Sequence, residues 1–284
     1  MNKMWKAAIA AALVVTTAQM SYAQETEAAV AVNTSDAVIG HNGLTISGAV
    51  GLPLNPTANV PNAGGVRVQA NYYDLGGEDI LNTNFRLYGI YAAGSISDRL
   101  EISGGVEKFS ARSDDPTVED ALDNTGLAIG AKYQVYRNAT GNTFGAVGVG
   151  YSDSLYNNIH AYAVGSHAFN LGSRSLFGHL GLRYDRFEVD AGGFDLDSSK
   201  VSVFAGAELP IDRRGRFNLV GELQSKNAEE GLGGTAPYSL SLRYQTPRGL
   251  AASVGIARQG VFGENFDAFD GDDSGLFAQV GYSF

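Results

Sequence analysis

The stretch Leu276–Phe284, with the sequence LFAQVGYSF, decides the fold class of this chain. Every second residue counted back from Phe284 is apolar, whereas the residues between them are mostly small or polar. A period of two is typical of a β-strand that has one apolar face. The stretch therefore predicts a final strand that turns one face toward an apolar environment.

The N-terminus has the three parts of an export signal. Lys3 and Lys6 give a positive start, residues 7–15 are uninterruptedly apolar, and Ser21-Tyr22-Ala23 places small residues where a signal peptidase reads. The apolar run is too short to span a bilayer. We therefore expect a signal peptide over residues 1–23 that is cleaved, and the absence of cysteine at the cleavage point argues against a lipoprotein.

The two ends together resemble bacterial outer-membrane β-barrel proteins of the porin-like kind, whose last strand typically stops on an aromatic residue, most often Phe. In those proteins the last strand is read by the barrel-assembly machinery. The resemblance implies that Tyr282 and Phe284 form the assembly signal of this chain. It also implies an outer-membrane location, with outer-membrane lipid and lipopolysaccharide as surroundings.

The composition excludes several other classes. The 284 residues include no cysteine, so no disulfide framework supports the fold, and the mean hydropathy of −0.09 is too polar for a helical membrane protein. The formal net charge of −10 makes the chain a poor nucleic-acid binder. A barrel agrees with this composition, because its lumen-facing residues can be polar.

The chain after Gly64 alternates in polarity in twelve segments, most of about ten residues, which is the length of a tilted membrane-spanning strand. We therefore predict an all-β fold, a transmembrane antiparallel up-and-down β-barrel of about 12 strands over residues 65–284. The segments are 65–74, 84–96, 99–109, 125–136, 142–151, 159–170, 175–187, 199–209, 216–225, 238–246, 249–258 and 275–284.

The connections between these segments give an independent test. Long outer loops, such as 188–198 and 259–274, should alternate with short inner turns, such as 171–174 and 246–248. The outer loops are acidic, with Arg112 and Lys226 as their basic residues, whereas the inner turns are rich in arginine. A soluble β-sandwich or β-solenoid would explain the alternating polarity, but neither the rhythm of the connections nor the aromatic terminus.

The segment over residues 24–64 differs from the barrel. Its stretch 51–62, with the sequence GLPLNPTANVPN, holds three of the chain's seven prolines, which argues against a central strand. The Pro-Thr-Ala stretch that follows a Gly-Leu pair resembles the start of some exopolysaccharide-associated outer-membrane barrels. The segment is either a periplasmic tail or a plug or strap that folds into the lumen.

The contents of the lumen decide the function, because barrels of ~8 strands are filled by side chains and those of ~16–18 leave a channel. Basic and acidic residues predicted to point inward nearly cancel, which favours ion pairs, a narrow constriction, or a neutral or zwitterionic solute. We therefore expect a passive channel or porin for small solutes that is not an enzyme and needs no cofactor. The lumen-lining residues are Arg67, Arg86, Glu101, Glu107, Lys132, Arg183, Lys200, Glu208, Glu222 and Arg243, together with Asp185.

One pair of residues suggests an alternative. His160 and Asp185 should lie near the outer rim on neighbouring strands, where a histidine beside a carboxylate can act as a general base. Some outer-membrane proteases and lipid A-modifying barrels resemble this placement, so an outer-membrane hydrolase is one alternative. A non-transporting barrel for adhesion or envelope structure is the other.

Metal sites are not predicted, because no histidine has metal-ligand spacing. The acidic loop tips at Asp114-Asp115, Asp195/Asp197 and Asp270/Asp272/Asp273 could hold Ca²⁺ or Mg²⁺, or bridge through such ions to lipopolysaccharide phosphates. They lack EF-hand spacing, and a solvated acidic surface is the favoured interpretation.

Overall fold

The computed structural model describes residues 43–76, 84–112, 123–154, 157–171, 174–191, 194–212, 214–226, 235–247, 249–260 and 274–284. The predicted signal peptide and residues 24–42 lie outside these ranges, as do the acidic loop tips at Asp114-Asp115 and Asp270/Asp272/Asp273. No helix within the described ranges is long and apolar enough to cross a membrane.

The described chain forms a closed antiparallel β-barrel of twelve strands in which each strand pairs with its neighbours in sequence and β1 pairs with β12. This confirms the predicted fold class. The strands are β1 (Val66–Gly76), β2 (Asn84–Ser97), β3 (Leu100–Arg112), β4 (Asn124–Arg137), β5 (Thr143–Ser152), β6 (Asn157–Leu171), β7 (Arg174–Ala191), β8 (Phe194–Pro210), β9 (Phe217–Gln224), β10 (Tyr238–Gln245), β11 (Leu250–Arg258) and β12 (Ser274–Ser283).

The C-terminal strand closes the barrel. Its register with β1 runs from Arg67 opposite Ser283 to Tyr73 opposite Phe277. The backbone N–H of Phe284 donates to the carbonyl of Val66 over 2.8 Å, so pairing continues to the last residue. We call this end of the barrel, where Val66 and Phe284 meet among the short turns, the turn end, and the opposite end the loop end.

The outward face is an apolar band. Along β4, Ile129 is 59% exposed, and Leu127, Tyr133 and Val135 share its face, whereas the intervening Lys132 is 1% exposed. Similar rows of exposed aliphatic side chains run along β7, β8, β10 and β12. Such an alternation gives a lipid-facing exterior and a polar interior, which is how a barrel can span a bilayer without a long apolar run.

The β7–β8 hairpin is longer than predicted. Residues 188–198 were expected to form a long outer loop, but strand pairing continues from Glu188 opposite Asp197 up to Ala191 opposite Phe194. The sequence keeps alternating apolar and polar residues here, so the strand pattern continues toward the loop end. The apolar positions are Val189, Ala191, Phe194 and Leu196. The intervening dipeptide Gly192-Gly193 is typical of two-residue hairpin turns.

Candidate functional site in the barrel lumen

The lumen contains residues 43–60, which we call the plug segment. Nearly all of its residues are buried, and its contacts reach inward-facing side chains around the barrel. Isolated bridges between Leu44 and Val50 and between Gly51 and Pro56 fold it into two consecutive tight turns. The segment contains no Asp, Glu, Lys or Arg, so it enters a charged lumen as a neutral chain.

The chain passes from the plug segment to the first strand at the turn end. The backbone N–H of Ala63 donates to Asp98 Oδ1 over 3.0 Å, and that of Gly64 donates to the carbonyl of Ser95 over 2.8 Å. Strand β1 begins two residues later, at Val66. The plug segment therefore joins the barrel wall directly, without a flexible linker between them.

An acid–base pair nearer the turn end holds Val50, and we call it the lower clamp. Glu101 Oε1 accepts a hydrogen bond from the N–H of Val50 over 2.9 Å, and Lys132 Nζ donates to the carbonyl of the same residue over 3.0 Å. Lys132 Nζ also lies 3.1 Å from Glu101 Oε2. The pair forms because β3 and β4 place Glu101 opposite Lys132.

Two oppositely charged residues nearer the loop end, Glu222 and Arg183, hold the tip of the plug segment, and we call them the upper clamp. Glu222 accepts from the N–H of Leu54 over 2.8 Å and from the N–H of Asn55 over 3.0 Å. The Asn55 side chain donates to the same carboxylate over 3.1 Å. From the opposite side, Arg183 Nη1 donates to the carbonyl of Leu54 over 3.4 Å.

A further ion pair, Arg243 with Glu208, holds Gly51, which lies between Val50 and Leu54 in the sequence of the plug segment. Arg243 is fully buried and donates to Glu208 Oε2 over 2.8 Å and to the carbonyl of Gly51 over 3.3 Å. His179 Nε2 lies 3.3 Å from the other oxygen of Glu208. The charges of Arg243 and Glu208 are thus compensated within the wall, as buried charges must be.

Neutral side chains complete the binding of the plug segment. Gln69 both accepts from the N–H of Leu44 and donates to its carbonyl, each over 2.9 Å. Ser166 accepts from the N–H of Ala58, Gln134 donates to its carbonyl, and Tyr73 donates to the carbonyl of Pro53. The alternation of the strands predicts that such residues face inward, but nothing in the sequence pattern marks them as partners of the segment.

One wall of the lumen toward the loop end is apolar. Tyr73 stacks on Phe277 with ring centroids 5.2 Å apart, and Phe85 stacks on Phe109 at 5.4 Å. Leu54 at the tip of the plug segment packs against this cluster. The upper lumen therefore has an aromatic wall on one side and the charged groups of the upper clamp elsewhere.

Arg86 was predicted to line the lumen, but it lies on the outward face of the barrel. Phe85 and Leu87 are buried in the aromatic cluster, so Arg86 takes the outward face of β2 with the exposed Tyr88, opposite Asp74 of β1. The prediction failed because large apolar residues reverse the usual polarity of the strand there. The other predicted lumen-lining residues lie on the inward face: Arg67, Glu101, Glu107, Lys132, Arg183, Asp185, Lys200, Glu208, Glu222 and Arg243.

His160 and Asp185 are directly opposite each other on β6 and β7, and both are buried. The Asp185 carboxylate is engaged by Arg183, whose Nε and Nη2 lie 2.9 Å from Oδ1, and by the Asn158 amide at 3.3 Å. The His160 ring contacts Asn158 Oδ1 at 3.3 Å. Asn158 therefore stands between the two groups, and this arrangement does not position Asp185 to orient His160 as a base.

In the described part of the chain, no group of three or more His, Asp or Glu side chains is placed to hold a metal ion. The side chains of Asp195 and Asp197 belong to a stretch whose side-chain placement is not described. The solvated acidic surface at the loop tips, with ion binding as its alternative, therefore stays a prediction.

Comparison with known proteins identifies the fold. No known protein family matches the sequence, and no curated protein is similar to it. Among solved structures, an outer membrane channel from Pseudomonas putida F1 matches with a TM-score of 0.51 and 11% identity over 79% of this chain and 97% of that one. The chain has the fold of a bacterial outer-membrane, porin-like β-barrel.

Two further solved structures are similar to this chain. The NanC porin gives a TM-score of 0.49 and 13% identity, covering 77% of this chain and 98% of that one. The KdgM porin gives 0.47 and 13% identity, covering 78% and 99%. At these identities the likeness concerns the fold, and the function must be argued from the lumen.

Proposed function

We propose that the protein is an outer-membrane channel for small solutes whose lumen is closed at rest by the plug segment, and which conducts when that segment leaves its place. One observation carries the proposal. The plug segment is uncharged, and the charged wall residues that bind it do so through its backbone N–H and C=O groups and the neutral Asn55 amide. Water can replace backbone partners of this kind when the segment leaves.

The ion pairs of the wall support the same conclusion. Lys132 with Glu101, Arg243 with Glu208 and Arg183 with Asp185 are all contacts between barrel strands or within one strand. None of them needs the plug segment to remain paired. Displacement of the segment therefore leaves these three pairs intact. Glu222 is the exception, because three of its hydrogen-bond donors belong to the plug segment, and water that enters the lumen must replace them.

The charge of the open lumen follows from the corrected orientation of Arg86. Without Arg86, the inward-facing set contains equal numbers of basic and acidic residues. Selective ion pores usually present a ring of one sign. We therefore expect weak ion selectivity and passage of solutes without net charge.

The proposal includes a route to the membrane. Export through the cleaved signal peptide of residues 1–23 and insertion by the barrel-assembly machinery would use the terminal strand with Tyr282 and Phe284. The exposed apolar band supports contact with outer-membrane lipid. Lipopolysaccharide would surround the loop end, and no cofactor is required for passive conduction.

Planar-bilayer recording of the mature chain and of a variant lacking residues 43–60 tests the proposal. The strand pairing that closes the barrel does not involve these residues, so the variant should keep a folded, heat-modifiable barrel. We expect the variant to give stable stepwise currents with weak ion selectivity, whereas the mature chain should be closed most of the time. A folded variant that is electrically silent would contradict a channel function.

A further inference from the structure

The two clamps bind the plug segment in the same way. Each clamp presents a carboxylate that accepts from the N–H of one plug residue and a cation that donates to the C=O of that residue. The lower clamp does this for Val50 and the upper clamp for Leu54. The barrel wall thus recognises the backbone of a single residue at two places, through charge-assisted hydrogen bonds to its N–H and its C=O.

We propose that the upper clamp is a binding site for neutral peptides and peptide-like amides, and that such a solute opens the barrel by taking the place of Leu54 and Asn55. This inference rests on the proposed function and names the solute class of that channel. The plug segment is then an internal ligand that competes with the solute for one site.

The charges of the upper clamp select against charged solutes. Glu222 disfavours an anionic group at the position of the Leu54 N–H, and Arg183 disfavours a cationic group at the position of its carbonyl. A residue flanked by two neutral amides, with its N–H toward Glu222 and its C=O toward Arg183, satisfies both without adding charge to a buried site. Glu222 in addition accepts from the Asn55 side chain over 3.1 Å, so a second amide strengthens the fit.

The aromatic wall adds a preference for an apolar side chain. Leu54 packs against the cluster that contains Tyr73, Phe109 and Phe277, while its peptide groups bind the clamp. A solute with the same arrangement needs an apolar side chain on the residue whose N–H and C=O meet Glu222 and Arg183. The acetylated, amidated dipeptide leucyl-asparagine reproduces this arrangement and is therefore the probe of choice.

The test measures displacement of the plug segment in the full mature chain. The chain has no cysteine, and the Thr57 hydroxyl is buried without a hydrogen-bond partner, so Thr57→Cys gives a single buried thiol at little structural cost. Its rate of reaction with a membrane-impermeant maleimide reports how often the segment leaves. The probe should accelerate this reaction about threefold at twice its dissociation constant, since the displaced population grows as 1 + [L]/Kd.

The control is the diastereomer with D-leucine, which has the same composition and charge but turns its side chain away from the aromatic wall. It should leave the labelling rate unchanged, and so should a sugar alcohol of similar mass. In the Glu222→Gln background the response to the probe should be lost, with folding checked by heat modifiability. Equal acceleration by both diastereomers, or no acceleration by the probe, would overturn the inference.

The labelling experiment and the bilayer recording together distinguish a wrong solute class from a wrong channel function. If the variant lacking residues 43–60 conducts while labelling of Thr57→Cys does not respond to the probe, the barrel is a channel but the solute class is wrong. If labelling responds stereospecifically while that variant is silent, the site exists in a barrel that does not conduct.

Discussion

Replacement of Glu222 by Gln should release the plug segment without unfolding the barrel. The Glu222 carboxylate accepts four hydrogen bonds, from the N–H groups of Leu54 and Asn55, from the Asn55 amide and from Ser239 Oγ. Three of these donors belong to the plug segment, and only Ser239 belongs to the wall. The substitution therefore weakens the docking of the plug segment more than it weakens the strand pairing.

The magnitude follows from the chemistry of these bonds. Hydrogen bonds to charged groups contribute about 1.5–3 kcal/mol each, whereas neutral ones contribute about 0.5–1.5 kcal/mol. Gln keeps one carbonyl oxygen as an acceptor but loses the charge and one acceptor oxygen. A net loss of about 2–3 kcal/mol in docking raises the displaced population by roughly 30-fold to 150-fold, because each 1.4 kcal/mol corresponds to a factor of ten.

The assay is labelling of Thr57→Cys in the full mature chain, with and without Glu222→Gln. Glu107→Gln is the matched control, because Glu107 is an equally buried lumen carboxylate whose hydrogen-bond donors, Tyr91 and Ser154, belong to the barrel. Labelling should accelerate strongly in the first variant and little in the control. Similar rates in both variants would refute the role assigned to Glu222.

Three further predictions concern the barrel itself. Ile129→Arg places a charge on the lipid face and should cost about 2–4 kcal/mol, seen as loss of the heat-modifiable folded form. Deletion of Phe284, which pairs with Val66 and packs edge-on against Tyr282, should lower the amount of folded protein in the outer membrane of cells, and normal amounts would remove its assembly role. Gly148→Ala should destabilise the barrel by about 1–3 kcal/mol because a Cβ there meets the Tyr162 ring, whereas Gly221→Ala, whose Cβ would lie 3.6 Å from its nearest neighbour, should be tolerated in the same unfolding assay.

The strands were predictable because each one carries its own evidence. The alternation of Ile129, Ala131 and Tyr133 with Gly130 and Lys132 is a local property, and it fixes which face meets lipid. The register then follows from short turns between neighbours. A fold built from sequential hairpins therefore needs little information from distant parts of the sequence.

The contents of the lumen depend on contacts that no local pattern reveals. Glu222 and Leu54 are 168 positions apart, and Lys132 and Val50 are 82 apart. Parity alone predicts only that Lys132 faces the lumen, and a side chain that meets water there could be replaced by Gln without loss of folding. The structure instead buries Lys132 against Glu101, so we now expect this substitution to destabilise the barrel, since breaking a buried pair costs about 3–5 kcal/mol.

The same difference between local pattern and long-range contact bears on two predictions that the structure contradicts. Arg86 was placed inside because charged residues on a barrel strand usually face the lumen, but Phe85 and Leu87 fill the inside there. Residues 188–198 were assigned to a loop because the alternating segments were taken to end at 187 and to begin again at 199, although the pairing of β7 with β8 continues through them. At Arg86 the packing of neighbouring residues outweighed the average preference of a residue type.

A reversible lock on the plug segment tests the central claim most directly. The N–H of Ala58 donates to Ser166 Oγ over 2.9 Å, so Ala58→Cys with Ser166→Cys introduces thiols on two residues in contact, in a chain that has no other cysteine. Planar-bilayer current should be recorded from this pair in the Glu222→Gln background, where the segment leaves more often. We predict that oxidation abolishes the current and that a reductant restores it, while the same background without the cysteines responds to neither treatment. A fully cross-linked chain that conducts as well as the reduced one would contradict the claim that residues 43–60 close the lumen.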